Sequence, residues 1–370
     1  MRILHFITSL RTGGAERLVT DLLPRFRDAG HEVSLLLMDG TRTPLYEELE
    51  RKGIRTDALS SGWRSMRNPL LINRLKRYLK EHPVDILHTH NTACQLLAAA
   101  AARHLPAALV TTEHNTTNRR RDWKGFRPVD RWMYRQYRQI ICVGEETRSG
   151  LLAYLDDEGI AAKTQVVPNG IDLSRFRNAV PDPDILALPG RKITMVAAFR
   201  PQKDHATLIR AMQFLPEDYR LLLAGGAETQ EDRTCLRSCR ELVRDLGLDD
   251  RVRFLGVCTG VPALLSASDV IVLSSHHEGQ PLSAVEAMAA GKVFIASDVE
   301  GLHGLVEGAG LLFPCGDAEE LARLIRQGCE DLPGAETIRK RCRNRAEMYG
   351  IDANSIAYLD IYGKIFNLQS

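Results

Sequence analysis

The strongest constraint on the fold is a regular alternation of short apolar runs with helical stretches, which occurs twice along the 370-residue chain. Apolar runs too short for a buried helix, separated by amphipathic stretches, are typical of parallel strands joined by crossover helices. Such chains form parallel sheets with helices on both faces. The predicted strands are residues 2–7, 32–38, 84–88, 108–112, 139–143 and 164–167, then 193–197, 219–224, 252–255, 270–273 and 293–297.

A polar stretch containing prolines, residues 173–190, separates the two halves and is interpreted as a linker. We therefore expect an α/β fold with two Rossmann-like, doubly wound parallel-sheet domains, residues 1–172 and 190–349. The last segment, 350–370, has helical spacing and is predicted to pack back on the first domain. Because such sheets bind ligands at the carboxyl ends of their strands, we expect the domains to face each other across a cleft.

The formal net charge of +2 conceals an asymmetry between the two halves. Residues 1–150 hold 25 Lys and Arg against 16 Asp and Glu, a net of +9, which leaves −7 for the remainder. A basic first half favours an anionic partner there, with an ordinary solvated surface as the alternative. No aromatic-basic strand motif for nucleic acid occurs. No apolar run is long enough for a membrane span or a secretion signal, and eight scattered cysteines indicate reduced thiols, so a cytoplasmic location is expected.

Two motifs in the first half follow predicted strands. Gly13 and Gly14, in the sequence TGGAE, open a helix, where free N–H groups and about half a positive charge favour an anion. A simple tight turn is the alternative. His114 ends another strand, and imidazole can hydrogen-bond a sugar hydroxyl or carry a proton; a structural hydrogen bond is the alternative. His88 and His90 also end a strand, but without a convincing third ligand we expect no metal.

Two motifs in the second half combine cations with carboxylates. Arg200 and Lys203 lie beside a helix start, where they can neutralise a departing diphosphate; a solvated basic turn is the alternative. The sequence HHEGQPLSAVEA places Glu278 in a loop and Glu286 on the helix that follows. Ionised carboxylates accept hydrogen bonds from vicinal diols, so this pair suits a ligand rich in hydroxyls. Glu286 near a helix start could instead complement the helix dipole.

In these motifs, and in their order, the chain resembles family 4 of the retaining glycosyltransferases, which have the GT-B architecture, and in particular those that build bacterial surface polysaccharides. The resemblance covers nearly the whole chain. It is carried by residues 13–16, His114, 167–172, 201–204, 223–226, 253–256 and 278–286.

The resemblance implies a donor that is a nucleotide sugar, by family frequency a UDP-sugar, with no other cofactor and no metal. His114, Arg200, Lys203 and Glu278 take the catalytic positions. The implied donor-binding residues are Gly13, Gly14, Gly256, Val257, Gly279, Gln280, Pro281, Leu282, Ser283 and Glu286. The chain departs from the family at Ala198, where an arginine is usual, and at Gly304, where a glutamate is frequent. Arg200 is the candidate replacement for the arginine.

We therefore expect transfer of a sugar to a glycan or lipid-linked acceptor in surface polysaccharide or glycolipid synthesis. A nucleotide-sugar epimerase of the same architecture, or an inactive nucleotide-binding paralogue, remains the alternative. The basic stretch 118–138 carries interleaved Trp123 and Trp132, a composition that favours peripheral contact with an anionic membrane. An exposed helix without lipid contact is the competing interpretation.

Overall fold

The computed structural model describes residues 1–11, 13–62, 68, 70–101, 106–114, 121, 123–279, 281–330 and 332–368. The chain divides into two compact units, one formed by residues 1–170 with 351–370 and the other by 171–350. Among the described helices, none has the length and apolar character needed to cross a bilayer.

The first unit is a seven-stranded, wholly parallel sheet in the order β3-β2-β1-β4-β5-β6-β7. Its strands are β1 Arg2–Ile7, β2 Glu32–Leu37, β3 Arg55–Ala58, β4 Ile86–His90, β5 Ala108–Glu113, β6 Gln139–Cys142 and β7 Thr164–Val166. Its first helices are α1 Gly14–Asp28, α2 Pro44–Arg51, α3 Leu71–Glu81, α4 Thr92–Ala101, α5 Arg127–Arg135, α6 Glu145–Leu155 and α7 Glu158–Ala161. Separate apolar clusters fill the two faces of this sheet.

The second unit has a six-stranded parallel sheet in the order β10-β9-β8-β11-β12-β13. Its strands are β8 Arg191–Val196, β9 Tyr219–Ala224, β10 Val252–Gly256, β11 Val270–Leu273, β12 Val293–Ser297 and β13 Leu311–Phe313. Its helices are α8 Ser174–Arg177, α9 Pro183–Leu186, α10 His205–Ala211, α11 Gln230–Asp245, α12 Val261–Ser266, α13 Leu282–Ala289, α14 His303–Val306, α15 Ala318–Glu330 and α16 Leu332–Glu347.

The segment predicted as a linker is instead part of the second unit. Residues 173–190 contain α8 and α9, and their side chains Phe176 and Ile185 are buried in apolar clusters of that unit. Each helix is only one turn long, and so short an apolar repeat does not stand out in a polar, proline-bearing stretch.

The C-terminal helix, α17 Ile351–Asn367, belongs to the first unit and packs against α1. Helix α16 of the second unit ends at Glu347, and α17 begins after Gly350. Asn354 donates from Nδ2 to the Pro168 carbonyl and so fixes the start of α17 beside the end of the first sheet.

Candidate active site

In both sheets the strand order reverses between two neighbouring strands, and the predicted site motifs follow strands at these reversals. In the first unit the reversal lies between β1 and β4, and in the second between β8 and β11. Ligands of open parallel sheets bind outside the carboxyl ends of the strands at such a switch point. Gly13 and Gly14 follow β1, whereas Arg200 and Lys203 follow β8, and Glu278 follows β11.

Lys203 and Glu278, which are 75 positions apart in the sequence, form an ion pair in the second unit. The Lys203 ammonium donates to Glu278 Oε1 at 2.5 Å, and the two side chains are 16% and 6% exposed. A largely buried carboxylate requires a partner of this kind, because an unpaired charge is costly out of water. Both residues were predicted as site residues from the sequence, but their contact was not.

The backbone around Glu278 holds its carboxylate in place. Ser275 Oγ donates to the same Oε1 at 2.5 Å, and Ser297 Oγ donates to the Ser275 carbonyl at 2.5 Å. Gly301 lies so close that a Cβ there would be 2.0 Å from the Glu278 carbonyl oxygen. Sequence reasoning missed these three residues, since serine and glycine near strand ends are common and only the fold brings them together.

The loop that carries Lys203 is joined to the segment after β11 by several hydrogen bonds. His276 donates its backbone N–H to the Gln202 carbonyl at 2.8 Å, and Gln202 Nε2 donates to the His277 carbonyl at 2.7 Å. Ser274 Oγ donates to the Asp204 carbonyl at 2.9 Å. These hydrogen bonds hold the loop of Lys203 against the segment that leads to Glu278.

Helix α13 presents a narrow accessible face. Ser283 and Glu286 are partly exposed, whereas Leu282, Ala284 and Val285 are buried. Residues three apart share one side of a helix, so the Ser283 hydroxyl and the Glu286 carboxylate lie on the same face. Glu286 is the fifth residue of α13 and lies beyond its first turn, which weakens the helix-dipole interpretation because that effect fades within one turn.

The remaining donor-binding predictions in this segment lie at the start of α13. Pro281 is buried and precedes the helix, and Gly279 is partly exposed beside Glu278. Gln280 lies outside the described residues.

The backbone segments that follow β8, β9 and β10 lie very close together. Gly225 donates its N–H to the Gly256 carbonyl at 2.8 Å, and a Cβ on Gly225 would be 1.8 Å from the Ala197 carbonyl oxygen. Gly256 has a φ of +69°, a conformation that favours glycine, and Val257 beyond it is 59% exposed. Val257 is thus an apolar side chain available to a flat ligand at the edge of this sheet.

Arg200 is an exposed residue that precedes the 3-10 turn Pro201–Lys203, and Ala198 lies two residues before it. The structure therefore places a guanidinium on the same loop as Lys203. Its role as replacement for the family arginine stays a prediction.

In the first unit, Gly13 precedes α1 with an extended backbone and Gly14 is the first helical residue, as the motif predicts. The N-cap Gly13 supplies no side-chain cap to this 15-residue helix, and the Glu16 carboxylate lies beside its start, since a Cβ on Gly13 would be 2.1 Å from Glu16 Oε2.

His114 follows β5 and contacts other imidazoles. His90, the last residue of β4, shares a hydrogen bond of 2.9 Å between its Nδ1 and His114 Nε2. Burial lowers the pKa of His114 to about 4, so its ring is neutral near pH 7. From the sequence, no third metal ligand was expected beside His88 and His90. In the structure His5 lies next to these two histidines, because β1 pairs with β4 in a register that sets His5 opposite His88.

Two family models match the chain in succession. The model of Glycosyltransferase Family 4 matches residues 12–175, and that of Glycosyl transferases group 1 matches residues 184–348. Together they take in nearly the whole chain, and each falls largely within one structural unit. The chain belongs to the family 4 glycosyltransferases and has the GT-B fold of two Rossmann-like domains.

Two relatives have names that describe glycosyltransferases. The lipopolysaccharide core biosynthesis glycosyltransferase LpsD of Rhizobium meliloti is 28% identical, with 98% of this chain and 97% of that protein aligned. The UDP-Gal:alpha-D-GlcNAc-diphosphoundecaprenol alpha-1,3-galactosyltransferase of Escherichia coli is 28% identical over 73% of each chain. Among solved structures, Anabaena HepE in complex with UDP-glucose gives a TM-score of 0.85 at 21% identity, covering 98% of this chain and 100% of that one. At that identity the likeness shows the fold alone.

Proposed function

We propose that this glycosyltransferase moves a sugar from a nucleoside diphosphate donor, a UDP-sugar, to a glycan or lipid-linked acceptor, with retention at the anomeric carbon and without a metal ion. The buried Lys203–Glu278 pair, whose glutamate lies four residues before the start of α13, is the observation that carries this proposal. It offers a cation for a diphosphate and carboxylates for sugar hydroxyls in one small region of the second unit.

Each half of the donor finds suitable chemistry in the second unit. The Lys203 ammonium neutralises the diphosphate, while Glu286 accepts hydrogen bonds from the ribose diol and Glu278 from the sugar. The exposed Val257 side chain contacts the base. A uridine donor is supported by the E. coli relative, whose name specifies UDP-Gal.

The reaction needs stabilisation of the leaving diphosphate more than it needs a protein base. Lys203 and Arg200 supply positive charge as the bond from the anomeric carbon to the phosphate oxygen breaks. The acceptor oxygen forms the new bond to the anomeric carbon on the face that the diphosphate leaves, and the freed phosphate oxygen takes the acceptor proton. Asp182 and Asp184 form the only Asp-x-Asp sequence of the chain, and Asp182 caps α9, which supports a mechanism without a diphosphate-bound metal.

The test combines donor screening with product stereochemistry. We expect UDP and one UDP-sugar to raise the melting temperature, because ligand binding to the folded state stabilises it by mass action. Proton NMR of the product should show the anomeric configuration of the donor, with an unchanged rate in excess EDTA. Inversion at the anomeric carbon or loss of activity in EDTA would contradict the corresponding part of the proposal.

The same experiment separates the two alternatives. An epimerase would convert the UDP-sugar to its epimer, or release UDP, with no acceptor present. An inactive paralogue would bind UDP and transfer nothing to any acceptor tested.

The first unit, to which we assign the acceptor, has an apolar surface formed by α5 and the residues just before it. Trp123, Phe126, Val129 and Trp132 are 69%, 38%, 40% and 36% exposed, and the Trp123 and Phe126 ring centroids lie 5.9 Å apart. Clustered exposed aromatic side chains are typical of surfaces that enter a membrane interface. The arginines beside them are partly engaged, since Arg127 and Arg135 form ion pairs with Asp156 and Asp157. Membrane contact is therefore proposed to depend on the aromatic residues more than on charge.

Replacing both Trp123 and Trp132 by alanine is expected to move the protein from the pellet to the supernatant when it is sedimented with phosphatidylglycerol vesicles. The matched control is Phe214→Ala, which removes a 49% exposed aromatic side chain from the second unit and should sediment like the unmodified protein. Equal recovery of all three proteins in the supernatant would remove the membrane proposal.

A further inference from the structure

A continuous chain of hydrogen bonds runs through the core of the first unit, from His114 to helix α17. From His90, the chain continues through a contact of 2.9 Å between His90 Nε2 and His5 Nδ1, and His5 Nε2 lies 3.2 Å from the Tyr362 hydroxyl. The same hydroxyl contacts His88 Nδ1. His88 Nε2 lies 2.8 Å from Thr112 Oγ1, which lies 3.1 Å from the Tyr358 hydroxyl.

The fold aligns these groups through simple periodicities. His88 and His90 are two apart on β4 and so point to one face of the sheet. Tyr358 and Tyr362 are four apart on α17, which places both phenols on the same side of that helix. His5, His88, His90, Tyr358 and Tyr362 are each 0% exposed, so the chain is shielded from water apart from its end at His114.

The three buried imidazoles are arranged for hydrogen bonding and not for a metal ion. Their candidate ligand atoms lie within 4.8 Å of one another. However, the His88 and His90 rings are stacked, with centroids 4.6 Å apart and planes 1° apart. Lone pairs in stacked planes run parallel, whereas metal ligands must converge on one point. Both nitrogens of each of these three rings also have a partner in the chain of hydrogen bonds.

Burial keeps every imidazole in the chain neutral near pH 7. It lowers the pKa of His5 to about 3 and holds the pKa values of His88 and His90 well below their usual range. A neutral imidazole has one N–H and one lone pair, so a ring that accepts at one nitrogen must donate from the other. The Tyr362 and Thr112 hydroxyls each have one hydrogen and, among the described residues, only their two neighbours in this chain of hydrogen bonds as partners, so each donates to one neighbour and accepts from the other. All the hydrogen bonds of the chain therefore run in one direction or all in the other.

Tyr358 decides between the two directions. Among the described residues, its hydroxyl has one hydrogen-bond partner, Thr112. If Thr112 donated to it, the Tyr358 O–H would be buried without an acceptor, which is unfavourable because buried polar groups need a hydrogen-bond partner. Tyr358 therefore donates to Thr112, and each group then donates to the next, through His88, Tyr362, His5 and His90. The last of these bonds runs from His90 Nδ1–H to His114 Nε2.

We propose that this chain fixes His114 as the tautomer with its proton on Nδ1, so that it presents an N–H donor to a sugar oxygen and does not act as a base. His90, His5 and Tyr362 are positioning residues that act through His114. That the oxygen belongs to a donor sugar rests on the proposed function. The tautomer itself does not, because it follows from the hydrogen bonds of the protein without ligand.

The tautomer is measured by NMR on the full chain with 15N-labelled histidine, with His114→Gln used to identify the His114 signals. We expect Nδ1 of His114 to carry the proton from about pH 5 upward, since its pKa lies at about 4. Tyr362→Phe should convert this into a mixture of tautomers, because His5 is then disconnected from Tyr358. The matched control is Tyr137→Phe, which removes a buried hydroxyl that contacts Thr89 and Gln95. None of these residues belongs to the chain of hydrogen bonds, so the His114 signals should stay unchanged.

A proton on Nε2 of His114 in the unmodified protein would overturn the proposal, whether or not Tyr362→Phe folds. Unchanged His114 signals in a folded Tyr362→Phe variant would overturn the role of the chain. With ligands, Tyr362→Phe is expected to weaken binding of the preferred UDP-sugar in proportion to the lost fraction of the Nδ1–H tautomer, about twofold for an even mixture, and to leave UDP binding unchanged. Absence of UDP binding in the unmodified protein would refute the proposed function without affecting the tautomer.

Discussion

Replacing Lys203 by methionine is expected to lower kcat/KM by at least about 100-fold, because the leaving diphosphate loses a preorganised cation in a site with little water. The substitution also leaves the Glu278 carboxylate, 7% exposed, without its ammonium partner. Breaking a buried pair from one side destabilises a protein by about 3–5 kcal/mol, so the melting temperature should fall as well. Steady-state kinetics with saturating acceptor and a thermal melt measure the two effects separately.

The reciprocal variant Glu278→Gln shows whether the pair acts as a unit. If the two side chains work through each other, the double variant loses little more activity than Lys203→Met alone, since effects within one unit are not additive. Lys192→Met is the matched control, because Lys192 lies 4.0 Å from Asp269 at the amino end of β8, away from the site. A similar loss of activity in the control would show that Lys203 acts through stability alone.

The fold was predictable where the sequence repeats a simple pattern. Buried parallel strands such as β11 and β12 are short apolar runs, and these were recognised. Two strands were missed for a physical reason. Strand β3 has no buried residue and so produces no apolar run, and β13, Leu311–Phe313, is an apolar run of only three residues, too short to identify a strand by itself. Edge strands of this kind are stabilised by pairing with a neighbour that the local sequence does not specify.

The candidate site was predictable as a set of residues but not as an arrangement. Lys203, Glu278 and Glu286 stand out because charged groups next to strand ends and glycines have few structural explanations. The contact between Lys203 and Glu278 depends on β8 and β11 being neighbours at the reversal of strand order, which is a property of the whole sheet. The same holds for His5, which has an apolar sequence context and meets His88 only through the register of β1 and β4.

Replacing Gly301 by alanine is expected to reduce UDP-sugar affinity at least about 100-fold, although Gly301 carries no side chain that could touch the donor. A Cβ at this position would lie 2.0 Å from the Glu278 carbonyl oxygen and 2.7 Å from that of Gly279. Both are backbone atoms that cannot rotate away, so the loop that carries Glu278 must move. A displacement of about 1 Å is enough to misplace a binding group by a large factor in rate or affinity. Calorimetric titration with the preferred donor measures the loss.

The control must separate this displacement from backbone strain, because Gly301 has a φ of +83° that disfavours any other residue. Gly308 provides that control, with a φ of +73° and no atom within 4 Å of an added Cβ. Gly308→Ala should therefore cost only about 1–2 kcal/mol of unfolding free energy and leave donor affinity intact. If both variants bind the donor equally well, the position of the Glu278 backbone does not determine donor binding, and Glu278 is then a structural partner of Lys203 rather than a ligand for the sugar.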